Sequence, residues 1–259
     1  MTEHLNIVLE VENLVIGYNG VAIAKNINFK LAKGELNAVI GINGIGKSTL
    51  LRTLGNLQPK LAGSICISEK QLENFSAIDL ATKLSLVLTE SIASKNMSVL
   101  ELISLGRQPY TNWIGTLTAN DKEKINGAVE MLSLKDLQHK KCFELSDGQL
   151  QRALIARAIA QDTDIILLDE PTTHLDLYHK ARILKVLKSI AHKTGKTIVF
   201  TTHEIEMAIQ LCDTLFLLDS EKNYFGKPDE LIRAKVFEKL FPAETVSFDA
   251  ATGSFRINT

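Results

Sequence analysis

Gly41-Ile-Asn-Gly-Ile-Gly-Lys-Ser-Thr49 stands between a compact apolar run, Leu36-Asn-Ala-Val-Ile40, and the helix-like Leu50-Leu-Arg-Thr-Leu54. Its first eight residues fit the phosphate-loop pattern G-x-x-x-x-G-K-[ST]. Glycines at such spacing let the backbone wrap closely and aim successive N–H groups inward, forming a nest for anionic oxygens. The following helix adds its positive N-terminal end. Gly41, Asn43, Gly44, Gly46, Lys47, Ser48 and Thr49 are therefore the first candidate binding residues. Lys47 can reach the β- and γ-phosphates of a nucleotide and Ser48 can ligate Mg²⁺. A purely structural turn has no use for Lys-Ser after its last glycine, so the loop implies nucleotide binding.

Downstream, Ile165-Ile-Leu-Leu-Asp-Glu170 is an apolar strand ending in two carboxylates. Unpaired carboxylates are costly to bury, so they belong at the strand's carboxyl end, where ligands of open α/β sheets bind. Asp169 is then placed to hold Mg²⁺ through water, and Glu170 to face an attacking water. An Asp-Glu pair alone is only a strand meeting a polar loop; paired with the upstream loop it marks a hydrolytic site. His203, in Thr201-Thr-His-Glu204, follows another apolar strand and points to the same crevice.

The surrounding pattern predicts an α/β protein. Alternation over 7–15 and 23–31 suggests two N-terminal strands, with further strands at 36–40, 64–68 and 83–88. From about 97 to 160 helical spacing takes over, and Thr118-Ala-Asn-Asp121 reads as a capping box. Strands at 164–169, 197–201 and 214–218 then alternate with helices at 176–192 and 204–211. Alternation of this kind argues a mainly parallel sheet with crossover helices. The expected organisation is one domain over 1–259. Its nucleotide-binding core comprises 1–90, with an antiparallel β portion, and 161–236. A helical subdomain spans 91–160, and a tail at 237–259 forms a small hairpin.

Composition bounds the alternatives. Of 259 residues, 45% are hydrophobic and 23% charged, with a net charge of -1, so a large core is available. No basic run beyond His139-Lys140-Lys141 offers a nucleic-acid footprint. The opening MTEHLNIVLEVENL carries acidic residues where a signal peptide needs basic ones. No stretch approaches the roughly 18 apolar residues of a membrane span. Cys66, Cys142 and Cys212 follow no metal or redox spacing and suit core packing in a reducing compartment.

Leu145-Ser-Asp-Gly-Gln149 precedes a strongly helical run. Ser146 with Gln149 makes an ordinary capping box; with Gly148 and the helix start it also makes a second anion-binding end. At these residues the chain resembles the ATP-binding cassette family, whose signature is commonly LSGGQ. The resemblance covers essentially the whole chain, with the motifs in family order. It implies that Tyr18 stacks on adenine and that the signature residues Ser146, Gly148 and Gln149 contact nucleotide. Asp176 lies in the Leu175-Asp176 loop, Glu170 activates water, and His203 senses the γ-phosphate. It further implies ATP and Mg²⁺ as cofactors and a head-to-tail homodimer, each P-loop facing the partner's signature.

Two departures stand out. Asp147 replaces the usual second signature glycine, which suits the helix dipole. Where the family has a Gln-containing loop, the residues are Thr89 and Glu90, and Glu90 is the expected magnesium-site replacement. Leu105-Gly-Arg-Gln-Pro-Tyr-Thr-Asn-Trp-Ile-Gly115 resembles importers of ferric siderophores, haem and cobalamin. That implies a peripheral subunit on the cytoplasmic face of the inner membrane, a separate permease and an extracytoplasmic binding protein, with no nucleic acid. A cassette exporter, or a non-transport cassette acting on nucleic acid or ribosomes, is the alternative. A P-loop kinase or GTPase would have no use for Ser146.

Overall fold

The computed structural model describes residues 6–90, 94–242 and 244–258. The chain ends (1–5 and 259) and the expected start of the helical insert at 91 lie outside those residues. Strands β1 (Ile7–Tyr18) and β2 (Val21–Ala32) form a long antiparallel hairpin, and β3 (Leu36–Ile40) leads through the P-loop into helix α1 (Lys47–Leu54). β4 (Ala62–Ile67) and β5 (Lys70–Gln71) complete a four-stranded antiparallel sheet in the order β2-β1-β4-β5. Helix α2 (Ala77–Lys83) starts where the Ser76 hydroxyl accepts the Asp79 amide at 3.1 Å, and it feeds β6 (Leu84–Val87).

Helices α3 (Val99–Ser104), α4 (Ala119–Met131) and α5 (Asp147–Ala160) follow. The capping box expected at Thr118 is present, with the Asp121 amide donating to the Thr118 hydroxyl at 3.2 Å. Alternation then resumes through β7 (Ile165–Leu168), α6 (Leu177–Thr194), β8 (Thr197–Thr202), α7 (Ile205–Leu211) and β9 (Thr214–Leu217). β10 (Tyr224–Gly226), α8 (Pro228–Arg233) and the pair β11 (Val246–Asp249) and β12 (Ser254–Ile257) close the chain. β5 and β10 are short edge strands that hydrophobic alternation did not reveal.

The larger sheet runs β10-β9-β3-β8-β7-β6, parallel except for the antiparallel β10 edge. Both its faces are covered, which explains why β3, β7 and β8 read as continuous apolar runs rather than alternating ones. Ile166 and Leu168 pack with the helices α3 to α6, whereas Ile165 and Leu167 face α1 and the antiparallel sheet. Each such fully buried aliphatic side chain contributes about 1.5–3 kcal/mol.

The 105–110 segment anchors the helical region. A Cβ on Gly106 would lie 2.2 Å from the Arg157 carbonyl oxygen of α5, so only glycine allows that approach. Arg107, 3% exposed, donates from Nε to Asp121 Oδ1 at 2.8 Å and from Nη1 to the Ala160 carbonyl at 2.8 Å. It thereby ties α4 to the C-terminal end of the signature helix, whose dipole favours a cation there. At the other end of the chain, Phe248 and Phe255 pair across the β11–β12 hairpin and pack it onto Phe237 and Phe241 of the segment before it. The Phe255 amide donates to Glu206 of α7 at 2.7 Å. Cys142 and Cys212 are buried and Cys66 is half-buried, as expected of packing thiols.

Candidate nucleotide-hydrolysis site

Parallel pairing lines up the carboxyl ends of four strands. Ile40 pairs with Thr202, Phe200 with Leu168, and Leu168 with Val87. Gly41, Thr89, Asp169 and His203 therefore leave the sheet along one rim, the place where ligands of such sheets bind. Gly41 has φ 151°, and a Cβ there would lie 2.5 Å from the Leu218 carbonyl oxygen, so the chain can leave β3 this way only at glycine. Gly46 stands at the α1 N-cap without a capping side chain, which leaves the first helical N–H groups to an anion. Asn43 and Gly44 are exposed on the outer turn.

Lys47 is 5% exposed and folds across the mouth of the loop, donating to the Gly41 and Ile42 carbonyls at 2.9 and 3.1 Å. Burial pushes its ammonium below the ordinary lysine pKa, partly opposed by the Glu170 and Asp169 carboxylates. A phosphate entering the loop would supply the negative charge that this cation faces only from one side.

Asp169 is 2% exposed and fully engaged. Its Oδ1 accepts from Ser48 Oγ at 2.9 Å and Thr201 Oγ1 at 2.7 Å; its Oδ2 accepts from Thr89 Oγ1 at 3.3 Å. Glu170 takes a left-handed backbone, φ 45°, which turns it out of the β7 ladder. Its amide donates to Thr201 Oγ1 at 2.8 Å, and its carboxylate accepts from Thr173 Oγ1 at 2.9 Å. His203 Nδ1 lies 3.7 Å from Glu170 Oε2, and its Nε2 lies 3.5 Å from Glu204 Oε1.

Tyr18 is 48% exposed beside the P-loop helix, and its hydroxyl accepts from Thr49 Oγ1 at 3.3 Å. That bond sets Tyr18 beside the start of α1, where the phosphate loop ends. Ser146 caps α5, accepting the Gln149 amide at 3.4 Å, while Gln149 Oε1 accepts the Ser146 amide at 3.0 Å. Gly148 packs beside Leu175: a Cβ there would come within 3.2 Å of Leu175 Cδ2. Asp176 caps α6 by accepting the His179 amide at 2.9 Å, and that bond, with the His179 ring, lowers its pKa.

Glu90 does not turn toward Asp169. Its Oε1 accepts from Arg52 Nη2 of α1 at 2.6 Å, and its side chain is 66% exposed. Thr89 takes the Asp169-facing place instead. The guanidinium on α1 offers Glu90 a charge-assisted bond, whereas Thr89 follows directly on the strand end and points inward. Thr201 and Thr173, both in contact with the acidic pair, were not singled out in the sequence. Their only signal was hydroxyl residues at the end of an otherwise apolar strand and three positions after Glu170.

The oxygens gathered at Ser48 and Asp169 suit Mg²⁺, a hard cation usually held by one or two protein oxygens together with phosphate and water. Held there, such an ion would neutralise the charge that develops on phosphate oxygens. Loop, helix start, paired carboxylates and histidine define a P-loop nucleotide-hydrolysing cassette.

The comparisons agree. The family model for ABC transporters matches residues 24–173. The petrobactin import ATP-binding protein YclP of Bacillus subtilis is 36% identical over 92% of this chain and 96% of its own length. The ferric enterobactin transport ATP-binding protein FepC of Escherichia coli is 31% identical over 92% of this chain and 88% of its own. A solved inward-facing transporter assigned to the metal-chelate type superposes with TM-score 0.79 at 30% identity, covering 97% of this chain and 96% of that one. The chain belongs to the ABC transporter family, and it is an ATP-binding, ATP-hydrolysing subunit.

Proposed function

We propose that this subunit powers uptake of a ferric siderophore, with haem or a corrinoid as the neighbouring cargo classes. It acts as a homodimer on the cytoplasmic face of the membrane, bound to a separate permease that receives cargo from an extracytoplasmic binding protein. The observation carrying this reading is near full-length similarity to importer subunits named for petrobactin and ferric enterobactin. Among the described residues no helix is long and apolar enough to cross a membrane.

In this reading Tyr18 stacks on adenine, and Gly41 to Gly46 cradle the phosphates with backbone amides. Lys47 exchanges its carbonyl partners for phosphate oxygens. Ser48 and Asp169 hold the magnesium ion that neutralises phosphate charge. Glu170 accepts a proton from the water that attacks the γ-phosphorus, while the β–γ bridging oxygen leaves with ADP. His203, already beside Glu170, contacts the γ-phosphate. Ser146, Gly148 and Gln149 of one cassette complete the site of the other, so closure requires ATP and hydrolysis releases it. The Asp176 loop lies at that same interface.

The test is uptake into vesicles holding the subunit with its permease and binding protein. Labelled ferric siderophore should enter only with ATP on the subunit's side, and Glu170→Gln should abolish entry. ATP-driven efflux instead, or no siderophore movement under conditions of full ATPase activity, would contradict the assignment.

A further inference from the structure

Thr201 has no exposed surface at the end of β8. The three residues before it on that strand, Ile198, Val199 and Phe200, are apolar, Thr202 follows it, and a valine would fill the same space. Its hydroxyl nevertheless does two things at once. It donates to Asp169 Oδ1 at 2.7 Å and accepts the Glu170 amide at 2.8 Å. One hydroxyl carries one proton and two acceptor lone pairs, so both bonds coexist.

We propose that Thr201 is a positioning residue for hydrolysis, setting the Asp169 carboxylate and the Glu170 backbone together through one hydroxyl. The inference rests on the roles given above to Asp169 and Glu170. Its physical basis is that two adjacent residues need different kinds of restraint. The Asp169 amide stays in the sheet, donating to the Val87 carbonyl at 2.8 Å. The Glu170 amide points the other way, toward β8, and just past the end of the β7 ladder it meets the Thr201 side chain rather than a backbone carbonyl. A buried amide without a partner is costly, and the Thr201 hydroxyl is that partner.

The same hydroxyl fixes the carboxylate. Asp169 Oδ1 also accepts from Ser48 at 2.9 Å, but Ser48 sits on the phosphate loop and is the residue that turns to magnesium. Thr201 stands on neither the loop nor the acidic strand, so its bond need not change during the cycle. Thr201 therefore holds the metal-side carboxylate and aims the adjacent base from a third element. Partners of this kind behind metal-holding groups typically change affinity or activity by about 10–100-fold.

The experiment uses the full chain with Thr201→Val, Thr201→Ser and Thr201→Ala. In nucleotide-free protein, hydrogen exchange at the Glu170 amide should speed up in the valine form and stay protected in the serine form. In ATPase assays the valine form should lose about 10–100-fold in kcat or need about 10–100-fold more magnesium for half-activity, with KM for ATP little changed. Serine should restore both. A packing role alone would instead shift thermal stability without separating serine from alanine. If valine does not fold, the serine and alanine forms make the same comparison, since both lack the methyl and only one keeps the hydroxyl. Wild-type exchange and magnesium dependence in Thr201→Val, or equal behaviour of serine and alanine, overturns the proposal. Asp169→Asn and Glu170→Gln run alongside: if they hydrolyse ATP normally, the site assignment itself fails, and this proposal with it.

Discussion

The Ser48 hydroxyl donates to Asp169 Oδ1 at 2.9 Å, joining the first turn of α1 to the end of β7 across 121 positions of sequence. This bond places two of the three expected magnesium-site residues in contact, while Glu90, the third, pairs with Arg52. Ser48→Ala should leave the fold nearly unchanged, since Asp169 keeps Thr201 and Thr89 as donors. It should weaken ATP binding with Mg²⁺ far more than without it. Calorimetric titration in both conditions checks this; equal losses would place Ser48 outside the metal site.

Lys47 is held by two carbonyls that a phosphate would replace. A charge-assisted contact contributes about 1.5–3 kcal/mol, so Lys47→Ala should weaken ATP affinity roughly 10–150-fold, as read by a fluorescent nucleotide. Unchanged affinity would remove Lys47 from the site.

The Arg107–Asp121 pair makes a prediction about pH. Two bonds from Thr118, and then Arg107, lower the Asp121 pKa from the ordinary 3.8 to about 2. Folding thus favours the ionised form. Its stabilisation is present above the ordinary value and is lost as pH falls toward about 2. Asp121→Asn leaves a buried guanidinium without its carboxylate and should cost about 3–5 kcal/mol at neutral pH. In urea unfolding, the gap between wild type and variant should shrink as the wild-type carboxylate protonates. A gap independent of pH would contradict this account of the pair.

Local chemistry made much of this legible. The P-loop, the acidic strand end and the capping boxes at Thr118 and Ser146 are short-range patterns whose geometry follows from residue type and spacing. The alternation of strand and helix patterns after about 164 also foretold a mainly parallel sheet with crossover helices. Long-range partners were not legible in the same way. Nothing near Arg107 in sequence says that it meets Asp121 and the end of α5, and Thr201 reaches Asp169 only because β7 and β8 lie side by side. Thr89 and Glu90 differ by one position past a strand end, a step that reverses side-chain direction. Spacing alone could not say which of them faces Asp169; in the structure Thr89 does, and Glu90 pairs with Arg52.

Ser146 is exposed at the start of α5, in a different part of the chain from the P-loop. Ser146→Arg should leave ATP binding to a single subunit almost intact while blocking ATP-dependent dimer closure. Equilibrium sedimentation beside nucleotide titration separates the two effects. A fall in single-subunit affinity like that of Lys47→Ala would mean that the signature serves its own site.

Glu170 carries the central claim, that this site hydrolyses ATP by positioned proton abstraction between paired cassettes. Glu170→Gln keeps the shape and removes the base, so hydrolysis should fall about 10²–10⁴-fold while ATP still binds. With nucleotide no longer consumed, the variant should accumulate as an ATP-bound dimer. Sedimentation of Glu170→Gln with ATP and Mg²⁺, read beside its turnover, measures both at once. A stable dimer with turnover lost is the predicted result; a monomer that hydrolyses ATP at the wild-type rate would contradict it.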